Sequence, residues 1–454
     1  MEWQGKRSLV IGAGKSGQAA VHKLQRLGAE VFLVDGQERD KLSGVEELML
    51  DERHVWLGKL PDFEEVNPEI LILSPGVSPQ QPIITQAFQR EVPVWSEVEL
   101  ALHDCPALCV GITGTNGKTT TTRLIGELAR RTGRPVTVAG NIGVALSGQV
   151  EKMGEAGIVV AELSSFQLEF VDQLRLNIAV MLNITPDHLD RHGTLENYRS
   201  AKAHIFKNQQ AADLAILNWD DPLVRSLAAD LSGRVLYFSP TSFLADGISI
   251  QNDSLVYAQA GQVTEILKKS ELQLRGAHNL ENVMAAVGAA RELGLAWEEI
   301  AQGLREFRGV EHRQETVGQY DDIIFVNDSK GTNPDAAIKA LLAFDEPLVL
   351  IAGGKNKGLD FYDFIKVAKT RVKSLILLGQ AAAEIEQVAR DVGLRRIIRV
   401  ADYQEAVERA IAEAVAGDVV LLSPACTSWD MFKSYEERGE LFKELVRRHY
   451  REPI

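Results

Sequence analysis

Short β-branched and leucine-rich runs, bounded by Gly, Asp or Pro, alternate with longer helical stretches from one end of the chain to the other. That alternation is the pattern of parallel βαβ units: a parallel strand needs a crossover of a dozen residues or more before its neighbour can be laid down, and a helix usually provides it. The expected class is α/β. Buried strands are expected at Ser8–Ile11, Val31–Val34, Ile70–Leu73, Leu108–Ile112, Ile158–Glu162, Ile178–Asn183, Leu214–Asn218, Ile323–Asn327, Leu348–Ala352, Leu375–Leu378 and Val419–Leu422. Those are too many for one small sheet, and 454 residues allow about three domains.

Two breaks divide the pattern. The first lies at Ser96-Glu97-Val98-Glu99, whose Ser-x-x-Glu spacing predicts a capping box opening a short helix that ends at Asp104-Cys105-Pro106. The second lies at Phe307-Arg308-Gly309-Val310, beyond an alanine-rich helix over Asn282–Leu295. The expected domains are therefore 1–97, 98–309 and 310–454. Residues 239–275 are polar and strand-like, which suits a peripheral β-element of the middle domain.

Composition narrows the function. The chain carries 49 Lys+Arg against 63 Asp+Glu, a net charge of −14, and such a field repels nucleic-acid backbones and anionic lipid surfaces. An anionic substrate must then be held by local devices: helix N-termini, backbone nests or single cations. Three cysteines without CxxC spacing suggest neither a disulfide framework nor a thiolate zinc site, and fit a reducing compartment. No apolar run approaches the ~18–20 residues that span a bilayer, so a cytoplasmic protein is expected.

Two glycine loops follow strands. Gly12-Ala13-Gly14-Lys15-Ser16-Gly17 opens a helix and is followed by Asp35 at the end of the second strand, the arrangement of a nucleotide-binding fingerprint. By itself it does not say which nucleotide, and an NAD-dependent oxidoreductase or a nucleotide-binding regulator would read equally well. Ser74-Pro75-Gly76-Val77 leaves a neighbouring strand and can reach the same ligand. The second loop is Gly114-Thr115-Asn116-Gly117-Lys118-Thr119-Thr120. The general phosphate-loop template asks for glycine at 112, where Ile stands, so it fails by one residue. Its chemistry survives: two glycines for a backbone nest, Lys118 for the β- and γ-phosphates, and the Thr119 hydroxyl for Mg²⁺. A dehydrogenase leaves this lysine unexplained.

Further acids and bases fall on the same strand edge. Glu162 ends one strand and His188 follows the next, so the two could share a metal near a γ-phosphate. His188 and His192 have the spacing of a helical metal pair, but Pro186 and Gly193 predict a loop there. Lys202, in a helix after the N-cap Thr194, reads by itself as a solvated lysine. In the last third, three strand-to-helix junctions, Asp328–Pro334, Gly353–Gly358 and Ser423–Ser428, would converge on one sheet edge and suit a small dicarboxylate.

The loop Gly114–Thr120, the Tyr198-x-x-Ala-Lys202 context and the two stretches Asp328-Ser-Lys-Gly-Thr-Asn333 and Ser423-Pro-Ala-Cys-Thr-Ser-Trp-Asp-Met-Phe432 together resemble the Mur ligase superfamily, the ATP-dependent amide-forming enzymes of peptidoglycan assembly. The last two stretches resemble its D-glutamate-adding branch, and the likeness runs over essentially the whole chain. The resemblance implies an N-terminal Rossmann-like domain, a central P-loop ATPase-like parallel sheet and a C-terminal Rossmann-like domain that closes over the substrates as a rigid body. It implies a ligase that adds D-glutamate to UDP-MurNAc-L-Ala through an acyl phosphate, with ATP, two Mg²⁺ and a CO₂-derived carbamate on Lys202, acting as a monomer.

Residue by residue, the resemblance implies metal ligands Thr119, Glu162, His188 and carbamylated Lys202, with Lys118, Glu162, His188 and Lys202 catalytic. ATP contacts are implied for Gly114 to Thr120, Asn279, Arg313 and Asp328. Gly14, Lys15, Ser16, Asp35, Gly36, Gln37, Gly76, Asn141, Ser164, Ser165 and Gln167 would hold the UDP-substrate, and His188, Lys330, Thr332, Lys357, Ser428 and Tyr435 would hold D-glutamate. Tyr435 stands where the branch has Phe, and Gln37 where an Arg can face the UDP diphosphate.

Overall fold

The computed structural model describes residues 1–451. Three sheets are built. The first is fully parallel, in the order Val55–Leu57, Glu30–Asp35, Arg7–Ile11, Ile70–Leu73, Val94–Ser96. The second orders Gln262–Lys268, Ser254–Gln259, Gly247–Gln251, Arg234–Ser239, Leu214–Asn218, Ile178–Met181, Leu108–Thr113, Ile158–Glu162 and Val136–Gly140. The third orders Glu315–Tyr320, Ile323–Asn327, Val419–Leu422, Leu348–Gly353, Val372–Leu378 and Ile397–Arg399. The architecture is three-domain α/β, as expected.

All eleven apolar runs form strands, most of them buried on both faces as parallel strands between helices must be. The strands without a clear sequence signal are edge or near-edge elements, such as Val55–Leu57, Val136–Gly140 and Ile397–Arg399, where only one or two side chains reach the core. The polar region 239–275 folds as an antiparallel meander that extends the second sheet. Its turns, Asn252-Asp253 and Ala260-Gly261, have positive φ at both central residues, the twist that two-residue hairpins require.

Two local expectations need correction. Ser96 caps the helix Glu97–Leu102 by accepting the Glu99 N–H, but the carboxylate of Glu99 does not fold back; it accepts the N–H groups of Asp172, Gln173 and Leu174. The region Pro186–Gly193 contains one helical turn, Leu189–His192, rather than loop alone.

The chain divides into two compact units, one of Met1–Glu271 with Glu281–Leu304, the other of Leu272–Leu280 with the chain from Arg305 onward. The first unit holds the first two sheets, joined by a buried polar seam: Lys23 donates to the Ala101 carbonyl at 2.9 Å, and Glu97 accepts the Ser147 N–H at 2.6 Å. Among the described residues, no helix is long and apolar enough to cross a membrane.

Candidate active site

In the first unit, Gly14 opens the helix Lys15–Arg26 beside a cavity of about 400 Å³ lined by Gly14, Lys15, Ser16, Asp35, Gly36, Gln37, Gly76 and Gln81. Its tightness comes from backbone packing. A Cβ on Gly17 would lie 1.7 Å from the Gly12 carbonyl oxygen, so only glycine lets this helix begin so close to the strand. Asp35 does not point a free carboxylate into the cavity: one oxygen accepts the Ala13 N–H at 2.7 Å and the other the Gln37 N–H at 2.8 Å. The acid thus fixes both rims of the cradle. The Gln81 Oε1, buried without a hydrogen-bond partner, is a polar atom left for a ligand at the same cavity.

The strand Leu108–Thr113 runs into Gly114–Gly117, and Gly117, at φ 84°, caps the helix Lys118–Arg130. Thr119 and Thr120 are buried in its first turn. Asn116 is bracketed by Asn183, which accepts its N–H at 2.8 Å and donates to its carbonyl at 3.2 Å. Thr115 shares its hydroxyl with Tyr198 at 3.2 Å. Lys118 bends back over the nest, donating to the carbonyls of Gly114 and Thr115 at 2.8 and 2.9 Å.

Lys202 overturns the bland reading of its position. It is 1% exposed, donates to the Gly114 carbonyl at 2.8 Å, and lies 4.7 Å from the ring centre of Tyr198. Burial, and then the like charge of Lys118, push its amine well below the ordinary lysine range, against the opposing pull of Asp187 and Glu162. Glu162 is 2% exposed; Asn141 donates to its Oε1 at 3.0 Å, while Oε2 is buried without a hydrogen-bond partner. Gly140 lets Asn141 reach it, since a Cβ there would sit 2.3 Å from the Glu162 carbonyl oxygen.

His188 is exposed and held in the left-handed region at φ 51°, its ring 4.9 Å from Phe166 and its Nε2 3.5 Å from Asp187. His192 turns inward to Ser165 Oγ at 3.0 Å, and both histidine rings pack against Phe166. Ser164 and Gln167 form a reciprocal capping box on the helix Ser165–Leu168. Among the described residues no three His, Cys, Asp or Glu side chains form a ready metal cage. Three participants are not expected as site residues from the sequence: Asn183, which ends an expected strand; Tyr198, which enters only as part of the motif around Lys202; and Arg191, which donates to the carbonyls of Pro75 and Val77 and stacks on Phe166.

In the second unit the three junctions do converge, because Ile323–Asn327, Val419–Leu422 and Leu348–Gly353 are adjacent parallel strands. They are stitched together. Ala425 N–H donates to Gly331 O at 3.0 Å, and Lys355 and Thr427 exchange backbone hydrogen bonds at 2.9 and 3.1 Å. Arg438, 1% exposed, donates to the carbonyls of Ser329 and Cys426. Around this edge Lys330 lies 5.3 Å from the Tyr435 ring centre, Lys357 lies 4.9 Å from that of Trp429, Ser428 is buried, and Thr332 is half-buried just before the N-cap Asn333. Asp328 is buried, with Ser423 Oγ donating at 2.8 Å and the Gln314 N–H at 3.2 Å; burial pushes its carboxyl up to about 7. Arg313 has its Nε buried without a hydrogen-bond partner, and Asn279, in the first turn of the helix Ala277–Glu292, donates to the Arg275 carbonyl at 2.8 Å.

Comparison with known proteins follows the same divisions. Residues 6–96 match the Mur ligase MurD-like N-terminal domain, 112–290 the Mur ligase middle domain and 312–426 the Mur ligase glutamate ligase domain. The chain is 66% identical over its full length, and that of the relative, to UDP-N-acetylmuramoylalanine–D-glutamate ligase of Desulfitobacterium hafniense. It is 47% identical to the protein of the same name from Pelotomaculum thermopropionicum, over 97% of both chains. The crystal structure of UDP-N-acetylmuramate–alanine ligase from Thermotoga maritima shares the fold, with a TM-score of 0.60 at 20% identity over 97% of this chain and 99% of that one. With a full-length relative at this identity and family matches over all three sheets, the chain belongs to the Mur ligase family.

Proposed function

We propose that the chain is an ATP-dependent ligase that joins D-glutamate to UDP-N-acetylmuramoyl-L-alanine, releasing ADP and phosphate, in cytoplasmic peptidoglycan precursor synthesis. The observation that carries this reading is the 66% full-length identity to a relative of that name. The phosphate loop, the buried acid and the buried lysine supply the chemistry it needs. Residues 1–97 hold the UDP-substrate, 98–309 bind ATP and 310–454 take the amino acid, in a monomer.

In this mechanism Lys118 leaves the carbonyls it now caps and places its ammonium on the β- and γ-phosphates, with Gly114 to Thr120 as the nest. Arg313 adds a second cation, with Asp328 and Asn279 orienting the nucleotide. The alanyl carboxylate attacks the γ-phosphorus and ADP leaves, giving an acyl phosphate. The D-glutamate amine attacks the acyl carbon, the departing phosphate carries off its proton, and His188 orients the D-glutamate. Lys330, Thr332, Lys357, Ser428 and Tyr435 hold the D-glutamate carboxylates. Gly14, Lys15, Ser16, Asp35, Gly36, Gln37 and Gly76 hold the UDP moiety, and Asn141, Ser164, Ser165 and Gln167 the muramoyl-alanine end.

One observation supports a Mg²⁺ site among these residues. The Glu162 Oε2 is a buried carboxylate oxygen lacking a donor, the kind of atom a hard cation satisfies. Thr119 and Glu162 would hold the first ion, His188 and a carbamate on Lys202 the second. Bound Mg²⁺ neutralises charge on the phosphates. Burial lowers the Lys202 pKa and so favours the neutral amine that reacts with CO₂, and the product is an anion where a protonated lysine is a cation.

The test is phosphate release with Mg²⁺, ATP and UDP-MurNAc-L-Ala in bicarbonate buffer, adding D-Glu, L-Glu, L-Lys, meso-diaminopimelate or nothing. Release with D-Glu alone is expected. Release with another amino acid would keep the chemistry and overturn the substrate.

A further inference from the structure

Cys105 and Cys109 take no part in the mechanism above, yet the fold brings them together. Cys105 lies in the turn after the helix Glu97–Leu102, and Cys109 is the second residue of the strand Leu108–Thr113 that leads to the phosphate loop. Asp104, at φ 58°, and Pro106 turn the chain so tightly that the two sulfurs lie 3.8 Å apart, with the Cys109 S–H within reach of the Cys105 sulfur and, at 3.4 Å, of the Ala107 carbonyl. Both are free thiols. Cys105 is partly exposed and Cys109 buried.

The two are chemically unequal. The hydrogen bond from Cys109, then the Ala107 N–H and the nearby ammonium of Lys23, hold the Cys105 thiol below its ordinary range. That same hydrogen bond, with burial, holds Cys109 protonated. A partly exposed cysteine disposed to be a thiolate beside a buried thiol is the arrangement of an attacking and a resolving cysteine.

We propose that Cys105 and Cys109 form a reversible oxidation site that a hydroperoxide converts to an intramolecular disulfide. The Cys105 thiolate attacks a peroxide oxygen; the O–O bond breaks, the leaving hydroxide is protonated to water (to an alcohol for an alkyl peroxide), and Cys105 becomes a sulfenic acid. Cys109 then gives up its proton and attacks that sulfur, the S–S bond forms, and the S–O bond breaks to release water. The peroxide gains the two electrons that the thiols lose, and a dithiol reverses the change. An S–S bond is about 2 Å long, so the sulfurs need less than about 2 Å of travel. The cross-link spans the connection into the strand that carries the phosphate loop. Cys426 is an internal control: it is buried, and burial pushes its thiol up to about 12.

The full chain is treated with hydrogen peroxide and its mass and unfolded-state thiol count are read before and after dithiothreitol. Loss of two hydrogens, confined to the peptide with Cys105 and Cys109 and restored by dithiothreitol, is expected. In C109S, dimedone should label Cys105 instead. All three thiols remaining free in the wild-type chain, or oxidation falling on Cys426, would overturn the proposal, and the wild-type reading stands whether or not either variant folds.

Discussion

Lys118 and Lys202 donate to the same carbonyl oxygen, that of Gly114, each at 2.8 Å. Two cations on one acceptor in a mostly buried pocket repel, and the pair is relieved if one becomes neutral or anionic. A carbamate on Lys202 would do this by replacing one of the two positive charges with a negative one. Turnover of protein depleted of CO₂ should therefore fall and recover on adding bicarbonate, and K202M should lose at least about 100-fold in kcat, the scale of a lost electrostatic contact. Bicarbonate-independent turnover in the wild type would remove the carbamate from the mechanism.

Glu162 separates binding from stability. Its Oε2 is buried with no donor, a destabilising arrangement that Mg²⁺ would offset. E162Q should melt no lower than the wild type without metal, should gain less from added Mg²⁺, and should lose about 100-fold or more in turnover. Thermal unfolding with and without Mg²⁺ checks all but the last, which needs steady-state kinetics.

Asp35 braces the cradle from both sides, through Ala13 and Gln37. Removing a pair of charge-assisted hydrogen bonds at about 1.5 kcal/mol each predicts that D35A raises KM for the UDP-substrate roughly tenfold to a hundredfold while leaving KM for ATP nearly unchanged. Equal changes in both constants would point to general loosening instead.

Asp328 makes stability depend on pH. Its folded carboxyl sits at about 7 against an ordinary 3.8, so the folded chain binds the proton more tightly than the unfolded one. This contribution is fully present below the unfolded value and is lost as pH rises through about 7. Denaturant midpoints of the wild type should fall from pH 5 to pH 8, and D328N should flatten that fall, a difference of at most a few kcal/mol.

Much of this was legible in the sequence because it is local. The eleven long apolar runs, the two glycine loops and the three C-terminal junctions are each specified by neighbours in the chain, where strand, turn and helix start meet within a few residues. Edge strands such as Ile397–Arg399 were not legible, since only some of their side chains are buried and no period emerges in three residues.

Neighbouring residues along the chain are enough to specify the succession of βαβ units and the residue types at each strand end. Tertiary structure decided what those residues become. Lys202 reads as a surface lysine on its helix, and only packing of that helix over the phosphate loop buries it and lowers its pKa. Glu99 matches a cap locally, but three N–H groups from residues 172–174 take its carboxylate. Cys105 and Cys109 fit no recognised spacing, and a left-handed Asp104 brings their sulfurs together. In each case the property depends on desolvation or on a partner distant in sequence, and both exist only once the sheets have formed.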